Sequence, residues 1–462
     1  MWMELYNRIC PQRHIHAGSG RFLFHRIPLL LVKHSRKKTR YRLFGFIPVV
    51  TCKRTRAHYK YKLFDFITIC RMNFDQMLQK RYKSHISRIA HKSKIHIGFL
   101  VWQNTKWSYE SLYNQFASNP RYDVTVLIIN AKSARVSPQV NTQDNIAFFK
   151  NHNVKVINNI ADYKNANIDI AFYEQPWFVI DNLDTDFHPH NLSLYSLTFY
   201  VPYAIQMDAD NPNVVEACKS FYDTLYLSFM FNDLILSNFK AYNITNMIAV
   251  GHPKLDVYAS PAKTDNAWRS ADKLRVIYAP HHSFGNSFLK WATWEWNGQH
   301  LLELATKTQD SVEWIFKPHP RFLVALKELL GSAEKAQAVY DDWQKVATVC
   351  TSGDYFDIFK TADLMISDCG SFVLEWLPTG KPYMQLIPHY PDTSPRSETD
   401  RHYSSQYYKC NTNDDIDTIF DMLINQHQDP MKDSRIKLAQ SIPMNATEKI
   451  YSYINNLTNN KE

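Results

Sequence analysis

Lys317, His319 and Arg321 stand at alternating positions in Phe316-Lys317-Pro318-His319-Pro320-Arg321, a spacing that can turn three donors toward one anion. Tyr278-Ala279-Pro280-His281-His282-Ser283 adds two histidines and a hydroxyl. In Ser367-Asp368-Cys369-Gly370-Ser371-Phe372-Val373-Leu374-Glu375-Trp376, a small polar loop runs into a helix expected to begin at about Ser371. A helix start offers free backbone N–H groups at its positive end. It therefore suits a diphosphate without needing a metal. Glu375, one turn further on, is placed to accept ribose hydroxyl protons. Each feature also has a plainer reading: His319 as a turn cap, Ser371 as a helix cap only, Glu375 as a surface acid.

A hydroxyl that attacks phosphorus or carbon must lose its proton to a group within hydrogen-bond reach. The candidates are Glu110, Glu174 and Asp208. Asp208-Ala209-Asp210 has the form of the metal-binding DxD of GT-A glycosyltransferases, but it stands alone. His281-His282 could ligate a metal, yet no second cluster at ligand spacing accompanies it. No metal and no cofactor are expected, and the tandem histidines with Ser283 are read as contacts to donor phosphate.

These segments need a scaffold that ends strands beside helix starts. From Lys94 the pattern is α/β, with strands expected at 95–102, 122–129, 154–157 and 168–174 and a helix at 109–117. A second series begins near Lys273, with strands at 274–278, 312–316, 347–351, 364–367 and 383–387. Its helices are expected around 288–306, 322–330 and 372–377. Alternation of this kind gives parallel, doubly wound sheets. Open sheets of that type bind ligands at the carboxyl ends of their strands. The expected domains are a 1–93 extension, a 94–245 acceptor domain, a 246–430 donor domain and a helical tail over 431–462. Tyr195, Tyr200 and Tyr203 read as core.

Charge is divided unevenly. Residues 1–94 hold 22 Lys and Arg against Glu4, Asp65 and Asp75, a net of +19 within a chain of net +9, so the remainder carries −10. A nucleic-acid enzyme would carry positive charge beside its active site, so no nucleic-acid partner is expected. A basic end reads instead as a contact for an anionic membrane surface. His25-Arg26-Ile27-Pro28, Gly45-Phe46-Ile47-Pro48 and Asp65-Phe66-Ile67-Thr68 recur every 20 residues, a strand-turn repeat with basic turns. No run approaches the ~20 apolar residues of a membrane span. Residues 1–20 hold no apolar signal segment. The seven cysteines are scattered without any CxxC, as reduced thiols are. A cytoplasmic protein, peripheral at the inner face of the membrane, is expected.

Taken together, Ala279-Pro280, His319-Pro320, Ser367-Asp368-Cys369-Gly370-Ser371, Glu375 and Gly380-Lys381-Pro382 resemble, in this order, the CDP-glycerol glycerophosphotransferase family. That family includes the teichoic acid glycerophosphate polymerases. Gly251-His252-Pro253-Lys254-Leu255-Asp256 is similar to its Gly-Tyr-Pro-Arg-Asn-Asp type segment. The resemblance covers roughly residues 165–425. It implies a GT-B fold, two Rossmann-like domains facing a cleft behind a basic β-rich extension. It also implies a CDP-glycerol-like donor, a saccharide or lipid-linked acceptor, and transfer without metal. His319 and Ser371 would hold phosphate, Glu375 would lie near the ribose, and Gly370 stands where the family has the first serine of a pair. The donor contacts would be His281, His282, Ser283, Lys317, Arg321, Ser367, Asp368, Gly370, Ser371 and Glu375. The family's His-Gly-Thr segment, whose histidine serves as base, is matched here by Phe199-Tyr200-Val201-Pro202-Tyr203-Ala204-Ile205, which has no histidine. Asp208 follows directly and is the expected base, with His319 as its catalytic partner. The alternatives are an inverting glycosyltransferase using the same diphosphate pocket and a membrane-bound scaffold with a degenerate site.

Overall fold

The computed structural model describes the chain apart from residues 1–19, 25–26, 36–37, 44–46, 55–57, 64–66, 103–106, 130–141, 153, 179–184, 206–211, 263–266, 286, 288, 352–354, 392, 394–397 and 460–462. Two compact units account for it: residues 1–203, 216–229 and 450–462 in one, and 204–215 and 230–449 in the other.

Six strands open the first unit: β1 Gly20–Phe24, β2 Ile27–Ser35, β3 Lys38–Leu43, β4 Ile47–Arg54, β5 His58–Leu63 and β6 Ile67–Asn73. They pair antiparallel in chain order. The 20-residue sequence period is therefore one hairpin. In the 1–2, 3–4 and 5–6 pairings the register slips where Leu29, Val49 and Ile69 are passed over, again twenty residues apart. Such bulges bend the strand and increase its twist.

The helix Phe74–Ala90 follows β6 directly. Read from sequence as the end of the extension, it is bonded to the α/β layer that comes next. The Tyr82 hydroxyl bonds the Thr224 carbonyl and lies 2.7 Å from Thr198 Oγ1. His85 Nε2 lies 3.0 Å from the Ser193 carbonyl. Arg88 and Lys92 pair with the fully buried Asp169 at 2.5 and 2.8 Å.

The second sheet contains β7 Ile95–Val101, β8 Tyr122–Ile128, β9 Val156–Ile157, β10 Ile170–Tyr173, β11 Leu197–Tyr200, β12 Leu227–Met230 and β13 Met247–Ala249. Its order is β13-β12-β11-β10-β7-β8-β9. β7 to β12 are buried, near-continuous apolar runs, as parallel strands covered on both faces must be. Phe99, Phe172, Phe199 and Phe229 form a ladder across four adjacent strands, with centroid steps of 5.1, 5.4 and 5.6 Å. Burying each ring contributes about 1.5–3 kcal/mol.

The third sheet is built from β14 Leu274–Ala279, β15 Val312–Phe316, β16 Ala347–Val349, β17 Leu364–Ser367, β18 Tyr383–Leu386 and β19 Tyr408–Cys410, in the order β16-β15-β14-β17-β18-β19. All its pairs are parallel. The third sheet thus has the doubly wound order 3-2-1-4-5-6 and the second the same order with a seventh strand added, and in both the switch point falls between the first and fourth strands. The third sheet's core is aromatic, with Phe316 stacked on Trp343 at 4.7 Å and Trp314 on Phe420 at 5.7 Å.

The helix expected over 288–306 begins only at Trp294 and runs to Thr308. The residues before it form a loop because Thr293 is held from elsewhere, as described below. Among the described residues no helix is long and apolar enough to cross a membrane.

Candidate active site

The sheet switch point is occupied by Asp368, which follows β17 and is 1% exposed. One carboxylate oxygen accepts the backbone N–H of His281, just after β14, at 2.6 Å. The other accepts the Thr293 N–H at 2.7 Å and its hydroxyl at 2.8 Å. Beside it the Ser367 hydroxyl donates to the Ala279 carbonyl at 2.6 Å and accepts the Cys369 N–H at 3.0 Å. These bonds tie His281 and Thr293 to the gap between β14 and β17. Burial pushes the Asp368 pKa up to about 6, against the opposing pull of those donors. The first parallel sheet uses the same device: Glu174, after β10, accepts the Trp102 N–H, after β7, at 2.8 Å. The charge patterns of the sequence do not reveal either clamp.

Behind the clamp three imidazoles meet. His281 and His282 are 4.4 Å apart, His281 and His319 5.1 Å, and His282 stacks on His319 at 4.0 Å. One ring nitrogen from each lies within 4.8 Å of the others. The sequence reading found no second cluster beside His281-His282; β14 and β15 being neighbours, the turn after β15 brings His319 to them. Burial, helped by Arg321, pushes the His282 pKa down to about 4, so this ring is neutral at pH 7. Its Nδ1 is buried and has no hydrogen-bond partner among the described residues. Arg321 precedes the helix Phe322–Leu330 and its N–H donates to His319 Nδ1 at 3.1 Å.

Lys317 ends the β15 turn 7% exposed. Its ammonium lies 4.6 Å from the centre of the Tyr355 ring and 5.8 Å from that of Phe372. Among the described residues no carboxylate or carbonyl bonds it. Burial pushes its pKa down, while neighbouring Glu375 works in the opposite direction. Glu375 is itself buried, bonded to Lys254 at 2.8 Å and receiving the Tyr355 hydroxyl. Lys254 belongs to the Gly251–Asp256 segment. Gly251 there has φ +97°, and a Cβ would come 2.5 Å from the Pro443 carbonyl, which is why only glycine fits. Asp256 caps the helix Ala446–Asn459 by accepting the Ala446 and Thr447 N–H groups at 3.0 and 2.6 Å.

The remaining expected contacts divide into two groups. Gly370 opens a seven-residue helix, Gly370–Trp376, and the Ser371 hydroxyl lies 3.2 Å from the Cys369 thiol, half-exposed. Ser283, Ser367 and Asp368 are fully buried, with their polar atoms engaged inside the protein. Their hydrogen bonds hold the neighbouring segments of the edge in place. Asp208 lies outside the described residues. Glu110 is exposed at the start of the helix Glu110–Ala117, whereas Glu174 is buried at a switch point.

The edge thus joins a buried lysine, two histidines whose Nδ1 atoms accept N–H bonds, and a short helix start at the carboxyl ends of β14, β15 and β17. Such a set of donors suits an anion. The chain belongs to the CDP-glycerol:poly(glycerophosphate) glycerophosphotransferase family, whose model matches residues 206–440, just over half of its length. It is a transferase. Among solved structures the chain is similar to the wall teichoic acid polymerase TagF, with a TM-score of 0.54, 12% identity, and coverage of 83% of this chain and 93% of that one. The S. aureus MnaA–UDP co-structure is similar at a TM-score of 0.53 and 10% identity, covering 80% and 98%. These likenesses establish the GT-B fold. No curated protein sequence matches the chain.

Proposed function

We propose that this transferase moves glycerol phosphate, or a related alditol phosphate, from a CDP-linked donor to a saccharide or lipid-linked acceptor in the synthesis of a cell-surface polymer. The observation that carries the reading is Lys317, a buried cation with no anionic bonding partner among the described residues, in the half of the chain that the family model covers. A buried charge is costly unless paired, so the site is arranged for an anion that arrives with the ligand.

In the reaction the acceptor oxygen forms a bond to the β-phosphorus of the donor. The bridging P–O bond breaks, its electron pair leaves with CMP, and the acceptor proton passes to a base. Lys317 would neutralise the charge that builds on the diphosphate and His281 and His319 would hydrogen-bond it, with Ser371 beside it. The base would be one of the candidate carboxylates Glu110, Glu174 and Asp208, of which Glu174 stands at the switch point of its own sheet, the kind of position where open sheets meet their ligands. The basic hairpins would hold the enzyme at an anionic leaflet, where each Lys or Arg contributes about 1 kcal/mol.

The test is to offer purified protein CDP-glycerol, CDP-ribitol and UDP-sugars with an acceptor, and to follow CMP and UDP. CMP release from a CDP-alditol, unaffected by EDTA, is expected. UDP release alone would establish glycosyl transfer instead.

A further inference from the structure

The three clustered histidines have the spacing of a metal cage, but their hydrogen bonds belong to a different kind of site. Ser283 Oγ accepts the backbone N–H of Trp291 at 3.0 Å, so its own proton is free to turn to His281 Nδ1, 2.7 Å away. The Ser283 backbone N–H points at the same nitrogen from 3.3 Å. His281 Nδ1 therefore keeps its lone pair, and a neutral imidazole with its lone pair at Nδ1 carries its proton at Nε2. His319 repeats the arrangement, its Nδ1 accepting the Arg321 N–H at 3.1 Å. A metal-binding histidine shows the reverse: one nitrogen bare toward the ion, the other donating N–H to a carboxylate, carbonyl or water. Here a backbone N–H donates to each Nδ1.

We propose that Ser283 is a positioning residue that locks His281 in the Nε2–H tautomer, so that His281 and His319 act together as donors to a phosphoryl oxygen and the trio takes no divalent metal. This rests on the reading of the edge as a diphosphate site. The Ser283 hydroxyl does not touch the ligand. It acts through His281, while Asp368 holds the His281 backbone at 2.6 Å. The His282 ring stacks on His319 at 4.0 Å and helps fix its plane.

The full chain, labelled with ¹⁵N-histidine, tests this through long-range ¹H–¹⁵N spectra, with His281→Gln and His319→Gln assigning the signals. Both rings should show the Nε2–H pattern, and added Co²⁺ should give no 1:1 visible absorption band. Ser283→Ala should turn His281 into a tautomer mixture and weaken inorganic pyrophosphate binding about tenfold, the loss expected of one misdirected hydrogen bond. An Nδ1–H signal at His281, or a 1:1 Co²⁺ complex abolished by His319→Gln, would overturn the proposal. If Ser283→Ala does not fold, the wild-type spectra and the Co²⁺ titration decide alone. If pyrophosphate binds with the expected tautomers but CDP-alditols do not, the donor assignment falls and the tautomer lock stands.

Discussion

The Lys317 ammonium lies over the Tyr355 ring at 4.6 Å, and the Tyr355 hydroxyl donates to Glu375. The aromatic face and the nearby carboxylate stabilise the cation partially, without supplying a bonded counterion. Lys317→Met should therefore separate folding from binding. The unliganded variant should unfold at an unchanged or higher temperature. Its donor affinity should fall by about 1.5–3 kcal/mol, the worth of a charge-assisted bond. Thermal unfolding with and without CDP-glycerol measures both; an unchanged ligand shift would remove Lys317 from the site.

Asp368→Asn tests the clamp. An amide oxygen can still accept the His281 N–H, but its NH₂ then faces the Thr293 N–H, donor against donor, and the Thr293 hydroxyl must turn its proton away to accept from it. A destabilisation of about 1–3 kcal/mol is expected by denaturant unfolding, with weaker donor binding because His281 and Thr293 are no longer held.

Acid should unfold the protein in part through two histidines. Burial holds both His85 and His282 at a pKa of about 4, below the usual 6.5. Below pH 6.5 the unfolded chain takes up protons that the native rings refuse. Their contribution is thus present above pH 6.5 and lost as pH falls toward 4. Asp368 runs the other way: its raised pKa makes its contribution greatest below pH 4 and lost as pH rises through about 6. His85→Gln should remove one proton from the acid slope, flattening the loss between pH 6.5 and 4 by roughly 1–3 kcal/mol. An identical slope in the variant would contradict the assignment.

Glu174→Gln keeps an oxygen for the Trp102 N–H and removes the basic carboxylate. Turnover should drop by ~10²–10⁴ while CMP binding and thermal stability hold. Undiminished turnover would return the role of base to another group.

The length of an N-terminal truncation matters. Removing residues 1–72 should abolish binding to anionic vesicles and leave a folded protein, with the attraction fading as salt rises. Removing 1–93 also takes away Arg88 and Lys92 and leaves Asp169 buried without its cations. That costs about 3–5 kcal/mol, and insoluble protein is the expected result. Vesicle binding that survives the shorter truncation would make the hairpins a purely structural module.

Much of the donor half was legible because its strands are apolar runs with sharp ends. Val312–Phe316 and Leu364–Ser367 coincide with the expected ranges, and Leu274–Ala279 and Tyr383–Leu386 differ by one residue. Leu197–Tyr200 and Leu227–Met230 escaped because four buried residues carry no period. The internal bonds of Ser283, Ser367 and Asp368 were not legible, since a polar residue after a strand has the same signature whether it faces a ligand or a backbone N–H. His319 could not be joined to His281 and His282 until the pairing of β14 with β15 was known.

The hairpin repeat gives the amino-terminal region a quantised length. Register slips at Leu29, Val49 and Ile69 recur with the strands, so each twenty-residue unit ends with the backbone in the state in which it began. Loss or gain of one whole unit would leave the pairing pattern and the run from β6 into Phe74 as they are. A change of ten residues would reverse the strand direction at that junction and present the helix Phe74–Ala90 the wrong way round. The region can therefore be lengthened or shortened in evolution like a ruler cut only at its marks, with reach and charge altered together while the catalytic halves stay untouched.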